Sequence, residues 1–156
     1  MRTSVSALIS IIALSFSACG GGKTEEATEP VDLSTLPAII DPATVTVSQA
    51  VIDQGKRVYT RSCLACHMAD GRGMPGMQPS LIGSEKLAGD PYVLIDWVLR
   101  GSDALGGAPS KWPVRMLPHD HLSNQQVAAV VSYTRNAFGD GASGVSPEMV
   151  SLVRGE

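Results

Sequence analysis

The chain has 156 residues and a formal net charge of −3, and its aromatic residues are only two tryptophans, three tyrosines and two phenylalanines. This charge, together with the lack of a continuous basic run, argues against a nucleic-acid partner, because proteins that bind nucleic acids concentrate lysine and arginine on one surface. The length suits a single domain, and so few aromatic side chains leave room for a large planar cofactor in its interior.

The N-terminus, residues 1–18, has the organisation of an export signal. Arg2 precedes an apolar run at 5–14 that is too short to cross a bilayer of about 30 Å as a permanent helix. The segment 16–20, Phe-Ser-Ala-Cys-Gly, resembles the lipobox of bacterial lipoproteins, in which the cysteine is lipidated and becomes the first residue after cleavage. We therefore predict a signal peptide, lipidation of Cys19 and a location on the periplasmic side of a bacterial membrane. The alternative is ordinary signal cleavage that leaves Cys19 as a free thiol.

Residues 19–47 are typical of a flexible linker, here a lipid-anchored one. They begin with three consecutive glycines after the cysteine, continue with a polar and acidic stretch, and contain three prolines that interrupt any helix. Such a tether either lets the domain reach several docking sites or simply spaces it from the lipid head groups, and the sequence is compatible with both.

The folded domain is predicted to span residues 48–139. Ser48 is suited to cap an amphipathic helix at residues 51–61. Gly55 lies in the middle of this helix, where glycine costs up to about 1 kcal/mol relative to alanine. We therefore expect another element to approach closely at Gly55.

A Cys-Leu-Ala-Cys-His motif follows this helix at residues 63–67. Two cysteines separated by two residues and followed by a histidine have the spacing for two thioether bonds to a haem and for an imidazole ligand to its iron. We predict that Cys63 and Cys66 attach one haem c covalently and that His67 is its proximal ligand. A zinc site would need further ligands, and the remaining cysteine, Cys19, directly follows the predicted export signal. A redox CxxC would be expected in a βαβ pattern, which the flanking residues do not show.

Two further helices are predicted beyond a loop at residues 68–87 that is rich in glycine and proline. The first begins at Pro91, ends at Gly101 and has four apolar residues on its predicted inner face: Val93, Leu94, Trp97 and Val98. The second begins after Ser123, which forms a capping box with Gln126, and stops at Gly139.

The distal iron ligand is predicted to be Met116. An electron carrier needs both axial positions filled, and a thioether favours ferrous iron. The other methionines lie at the N-terminus, in the loop directly after His67, or beyond the last helix of the domain, whereas Met116 lies in a loop shortly before that helix. His119 and His121, in the same loop, are the alternatives and would give bis-histidine coordination.

Together these features resemble the class I c-type cytochromes. The shared features are a first helix with Gly55 and Tyr59, the CxxCH motif, a Pro-Ser-Leu-x-Gly turn, a methionine loop and a last helix with Val130 and Tyr133. The resemblance implies an all-α fold of three to five helices around one haem, in which the first helix crosses the last at these residues. In the last helix, the resemblance is strongest to single-haem cytochromes that act beside respiratory oxidases and quinoprotein dehydrogenases.

The same resemblance implies roles for residues around the haem. The Pro79 carbonyl would accept a hydrogen bond from the ring N–H of His67, and Leu81 and Gly83 would pack on the haem edge. Trp112 would donate its N–H to a haem propionate or would be an ordinary packing residue. If the family resemblance is set aside, the sequence predicts only that Pro79 is a turn residue.

The predicted function is that of an electron carrier rather than an enzyme. It would exchange single electrons between redox protein partners: a respiratory oxidase, a reductase or a quinoprotein dehydrogenase. The alternatives are a haem-based gas sensor or peroxidase with an open distal site, and an obligate electron-transfer subunit of a dehydrogenase or oxidase complex. Residues 140–156 are predicted to form a tail with a short helix that wraps the domain or contacts a partner.

Overall fold

A computed structural model describes residues 40–104 and 112–156. The predicted signal peptide, Cys19 and most of the predicted linker lie outside the described residues. Within them the secondary structure is helical and contains no β-strand, which confirms the all-α prediction. The helices follow in the order α1 Gln49–Ser62, α2 Leu64–His67, α3 Glu85–Ala88, α4 Pro91–Arg100, α5 Asn124–Phe138 and α6 Pro147–Arg154.

The helices differ in length. Short 3₁₀ turns at Pro42–Thr44 and Gly101–Asp103 accompany them, and α2 and α3 have four residues each. The longest described helix, α5, has 15 residues, and none of the described helices has the length and apolar character needed to cross a membrane.

α1 and α5 cross where Gly55 lets the two backbones touch. A Cβ atom at residue 55 would lie 2.6 Å from the Cβ of Tyr133 and would overlap the carbonyl oxygen of Ala129. The rings of Tyr59 and Tyr133, with centroids 5.5 Å apart, extend the contact. The resemblance implied that Val130 lies in this crossing. The atoms nearest a Cβ at residue 55 belong to Ala129 and Tyr133, and Val130 lines the cavity described below together with Tyr59.

The predicted ends of α4 and α5 are confirmed. Pro91 is the first residue of α4, which ends at Gly101 with φ of +67°. The Ser123 hydroxyl accepts a hydrogen bond from the Gln126 N–H at 3.3 Å, and the Gln126 side chain accepts one from the Ser123 N–H at 2.9 Å. This is the predicted capping box, and α5 ends before Gly139.

The inner face of α4 is wider than predicted. Leu94, Trp97 and Val98 line the cavity but Val93 does not, and the opposite side carries further buried residues: Ile95, Asp96 and Leu99. The prediction identified only one buried side of α4, whereas the helix has apolar residues on two sides. The loop predicted at residues 68–87 also differs, since its last residues, which lack glycine and proline, form the start of α3.

The C-terminal helix α6 belongs to the same core as α4 and α5. Met149, Val150 and Val153 have no exposed surface and join the buried cluster of the domain. The loop before α6 is fixed by Ser132 on α5, whose hydroxyl accepts a hydrogen bond from the Val145 N–H at 2.9 Å. The segment 140–156 therefore wraps the domain in this structure.

Candidate haem-binding site

A cavity of about 430 Å³ lies between α1, α4, α5 and the loops on either side of α4. This volume is within the range of about 300 to 1,000 Å³ typical of sites that enclose a small molecule. The cavity brings together most of the residues predicted to bind the cofactor: Cys63, His67, Pro79, Leu81, Trp112 and Met116. Cys66 is half-buried and is not among the residues that line it, and neither is Gly83.

The attachment motif is held by the end of α1. Cys63 follows α1 directly, and its carbonyl accepts hydrogen bonds from the N–H of Cys66 at 3.2 Å and of His67 at 2.9 Å. These bonds close the single turn of α2. Cys63 directly before this turn and His67 at its end therefore both line the cavity. The sequence thus positions a thiol and an imidazole on the same wall.

The chemistry of this pair does not favour the zinc or redox alternatives. Burial, and then the neighbouring Cys66, raise the pKa of the Cys63 thiol to about 11. A redox-active CxxC needs a lowered thiol pKa, because the thiolate is the nucleophile. Among the described residues, no group of three or more His, Cys, Asp or Glu side chains is arranged to hold a metal ion.

The burial of His67 suits a ligand histidine. Burial, and then the nearby His119, lower the pKa of His67 and so favour the neutral imidazole, which is the form that binds metals. Its Nδ1 is buried and has no hydrogen-bond partner among the described residues. An unsatisfied buried nitrogen costs about 1–3 kcal/mol.

The hydrogen bond implied between His67 and the Pro79 carbonyl is not formed in this structure. The Pro79 carbonyl oxygen instead lies against Gly73, where it leaves no room for a side chain. Gly73 has φ of +68°, and its N–H donates to the His67 carbonyl at 3.2 Å. This tight loop keeps Pro79 in the cavity wall but turns its carbonyl towards the loop's own backbone.

Met116 is placed on the cavity by the loop after α4. The other methionines of the described residues do not line the cavity: Met149 is buried in the core, and Met77 is 42% exposed. His119 does line it, whereas His121 does not.

The ring of His119 is already engaged with the backbone. One ring nitrogen lies 2.8 Å from the Leu117 carbonyl oxygen and the other 3.2 Å from that of Ser62. Iron ligation by His119 would have to disrupt one of these contacts. The arrangement therefore supports Met116 over His119 as the distal ligand.

Sequence reasoning missed several polar residues of the site. Gln78 is 5% exposed, and its side-chain amide donates to the Val114 carbonyl at 3.0 Å, which joins the loop before α3 to the methionine loop. Ser102 lines the cavity directly after α4. Lys86 also lines it, with its Nζ 3.7 Å from the centre of the Trp97 ring. The one sequence feature that could have identified Gln78 as a site residue is its position directly before Pro79.

These features fit a covalently attached haem. Two free thiols stand at the required spacing, and an imidazole and a thioether lie on the same apolar cavity. These are the donor types that hold haem iron in proteins that attach haem through CxxCH.

Comparisons with known proteins lead to the same assignment. A cytochrome c family model matches residues 52–137, which is more than half of the chain. The chain is 38% identical over 92 residues to the gluconate 2-dehydrogenase cytochrome c subunit of Pantoea cypripedii, covering 56% of this chain and 21% of that protein. It is 36% identical over 93 residues to the cytochrome c subunit of alcohol dehydrogenase (quinone) from Gluconobacter oxydans, covering 58% and 19%.

A shorter relative matches over most of its length. The chain is 31% identical over 93 residues to cytochrome c-552 of Thermus thermophilus, covering 55% of this chain and 69% of that protein. The chain spans only about a fifth of the length of the two dehydrogenase subunits. The chain therefore belongs to the cytochrome c family, and its cofactor is covalently bound haem c.

Proposed function

We propose that this chain is a monohaem electron carrier, lipid-anchored on the periplasmic side of a bacterial membrane, that passes single electrons between respiratory redox partners. The observation that carries the electron-transfer part is the placement of Cys63, His67 and Met116 on one apolar cavity. A site in which the protein would supply both remaining iron ligands suits electron transfer rather than catalysis on a bound substrate.

The residues of this chain would have different roles in holding the haem. Haem, when bound, supplies reversible one-electron exchange at its iron. Cys63 and Cys66 would hold it through thioether bonds, and His67, directly after Cys66 at the end of α2, would offer an imidazole. Met116 offers a soft thioether, which favours the ferrous state and so raises the reduction potential. Apolar side chains of α4 and α5 exclude water from the cavity: Leu94, Val98, Val130 and Val131.

The ligand assignment is tested with Met116→Ala in the haem-loaded protein. The oxidised wild type is expected to show the red-region sulfur-to-iron charge-transfer band, and its reduced form should not bind carbon monoxide. Met116→Ala should lose the band and bind carbon monoxide. Met77→Ala is the matched control, because this methionine is 42% exposed and lies off the cavity.

The outcomes separate the alternatives. Rapid carbon monoxide binding by the wild type would favour a gas sensor or peroxidase with an open distal site. A wild type that lacks the band yet excludes carbon monoxide would point to a second histidine ligand, and of His119 and His121 it is His119 that lines the cavity.

The proposed partners are a dehydrogenase or a respiratory oxidase. Support comes from the relatives, two of which are named as cytochrome c subunits of dehydrogenases. The chain would then be either a free carrier or one cytochrome module of such a complex. Tagged protein isolated from mildly solubilised membranes should retain a redox partner if the chain is an obligate subunit. Recovery of the tagged chain alone would leave the free carrier as the function.

The proposed anchor is lipid on Cys19. Support comes from the lipobox-like segment 16–20. The haem-loaded wild type should be labelled with a radioactive fatty acid, and Cys19→Ser should abolish this labelling. A wild type that takes up no label would contradict lipid anchoring.

A further inference from the structure

We infer that Ser102 is a positioning residue for Met116. Two hydrogen bonds run between these residues in opposite directions. The Met116 N–H donates to the Ser102 hydroxyl at 2.8 Å, and the Ser102 N–H donates to the Met116 carbonyl at 3.0 Å. The inference rests on the proposed function, in which Met116 is the distal ligand of the haem iron.

Ser102 is itself fixed by the end of α4. It lies in the 3₁₀ turn Gly101–Asp103, which follows α4 directly, and it is 7% exposed. Gly101 has φ of +67°, and a Cβ atom there would overlap the Met116 carbonyl oxygen and lie 2.8 Å from the Leu117 carbonyl carbon. The backbone of Met116 therefore rests directly on the end of a helix.

A second attachment lies three residues beyond Met116. The His119 N–H is shared between the carbonyl oxygens of Val98 and Leu99, at 3.1 and 3.2 Å. The end of α4 thus holds the methionine loop at Met116 and again at His119. Of these attachments, the hydroxyl of Ser102 is the one side-chain group that bonds the backbone of Met116 itself.

The hydroxyl matters because the Met116 side chain has little rigidity of its own. A methionine side chain is unbranched and has three rotatable bonds, so the place of its sulfur depends on where the backbone is held. Removal of the hydroxyl leaves the Met116 N–H without its acceptor in a partly buried site. The loop would then shift towards water or another acceptor, and the sulfur would spend less time on the iron.

The experiment compares haem-loaded Ser102→Ala with the wild type. We expect a weaker charge-transfer band, a lower reduction potential and carbon monoxide binding that is faster by roughly 2- to 10-fold, the range that the loss of one neutral hydrogen bond produces in an equilibrium constant. Ser102→Thr keeps the hydroxyl and should restore all three readouts towards wild type.

Ser132→Ala is the matched control. Ser132 is 1% exposed, exchanges two hydrogen bonds with the backbone of Val145 and does not line the cavity. Its replacement should lower the denaturant midpoint of unfolding but leave the band, the potential and the carbon monoxide rate unchanged. A merely structural role for Ser102 would give the same result as this control.

The results distinguish failure of this inference from failure of the proposed function. If Met116→Ala keeps the charge-transfer band, Met116 is not the ligand and the inference falls with that assignment. If Met116→Ala abolishes the band but Ser102→Ala retains the wild-type band and carbon monoxide rate, the positioning role is overturned and the proposed function stands. Equal changes in Ser132→Ala and Ser102→Ala would also overturn it.

Discussion

The carboxyl group of Asp96 lies in the interior of the domain, on α4, with no exposed surface. Its Oδ1 lies 2.9 Å from Nε of Arg100, one turn later on the helix, whose side chain is 28% exposed. Neither carboxyl oxygen accepts a well-aligned hydrogen bond from the described residues. Burial therefore raises the pKa of Asp96, and the attraction of Arg100 lowers it only in part.

This raised pKa predicts an unusual pH dependence of stability. The folded state favours the protonated carboxyl group, so the stability that Asp96 contributes is present below its unfolded pKa of about 3.9 and is lost as the pH rises through its folded pKa. Asp96→Asn does not titrate and resembles the protonated form. Relative to the wild type, this variant should therefore gain stability as the pH rises from ~4 to ~8, measured by denaturant unfolding of the haem-loaded proteins.

A surface aspartate provides the control for Asp96→Asn. Asp70 lies 3.4 Å from Arg72, but both side chains are more than half exposed, so that solvent screens the pair. Asp70→Asn therefore reports what the loss of any arginine-paired carboxylate does to the measurement. If Asp96→Asn instead loses stability relative to the wild type as the pH rises, the attraction of Arg100 outweighs burial and the pKa of Asp96 is not raised.

The crossing of α1 and α5 depends on the absence of a side chain at residue 55. These helices meet with backbone against backbone, because the carbonyl of Ala129 occupies the space that a Cβ of residue 55 would fill. α1 leads into Cys63, and α5 supplies Val130 and Val131 to the cavity wall. The two helices that cross at residue 55 therefore also contribute to the haem site.

Gly55→Ala should destabilise the protein although alanine is the better helix former. Alanine gains up to about 1 kcal/mol in helix propensity. The added methyl group meets the backbone of α5, which cannot rotate aside, and overpacking of this kind costs about 1–3 kcal/mol or more. We expect a net loss in the free energy of unfolding, measured with denaturant. Lys56→Ala, at the exposed neighbouring position, should change it by less than about 0.5 kcal/mol. A more stable Gly55→Ala protein would show that the close crossing does not exist in solution.

The elements were predictable where local chemistry determines them. Proline can only begin α4, glycine with positive φ ends it, and a serine with a glutamine three residues later caps α5. The side of α4 that faces the core was not predictable in full, because the helix is apolar on two sides. Likewise, α3 lies at the end of a stretch whose glycines and prolines indicate a loop.

The candidate site was predictable from its motifs but not in its supporting contacts. CxxCH and the position of Met116 identify the residues expected to hold the haem, and the structure places Cys63, His67 and Met116 on one cavity. The bonds that support the methionine loop join residues 14 positions apart, Ser102 with Met116, and 36 positions apart, Gln78 with Val114. No local periodicity or capping rule encodes such pairs, since they depend on how loops meet after folding.

At the scale of the whole molecule, the core extends beyond the part that matches the cytochrome c family. The family match ends at residue 137, yet α6 places three fully buried side chains against α4 and α5. Arg135 on α5 is 2% exposed and forms hydrogen bonds to two other parts of the domain. Its guanidinium donates to the carbonyls of Leu87 at 2.7 Å, Gly89 at 2.8 Å and Ser143 at 2.7 Å. The C-terminal segment is thus joined to α3 and to the loop after it through one buried side chain.

Truncation of a buried side chain on α6 should therefore destabilise the domain without altering the haem site. Met149 has no exposed surface and does not line the cavity, so Met149→Ala should cost about 2–5 kcal/mol in the free energy of unfolding while the visible spectrum of the oxidised protein stays unchanged. Leu152→Ala, a half-buried position on the same helix, is the control and should cost clearly less. If the two variants unfold at the same denaturant concentration, α6 does not pack into the core in solution, because a methionine without exposed surface cannot lose its packing contacts at so small a cost.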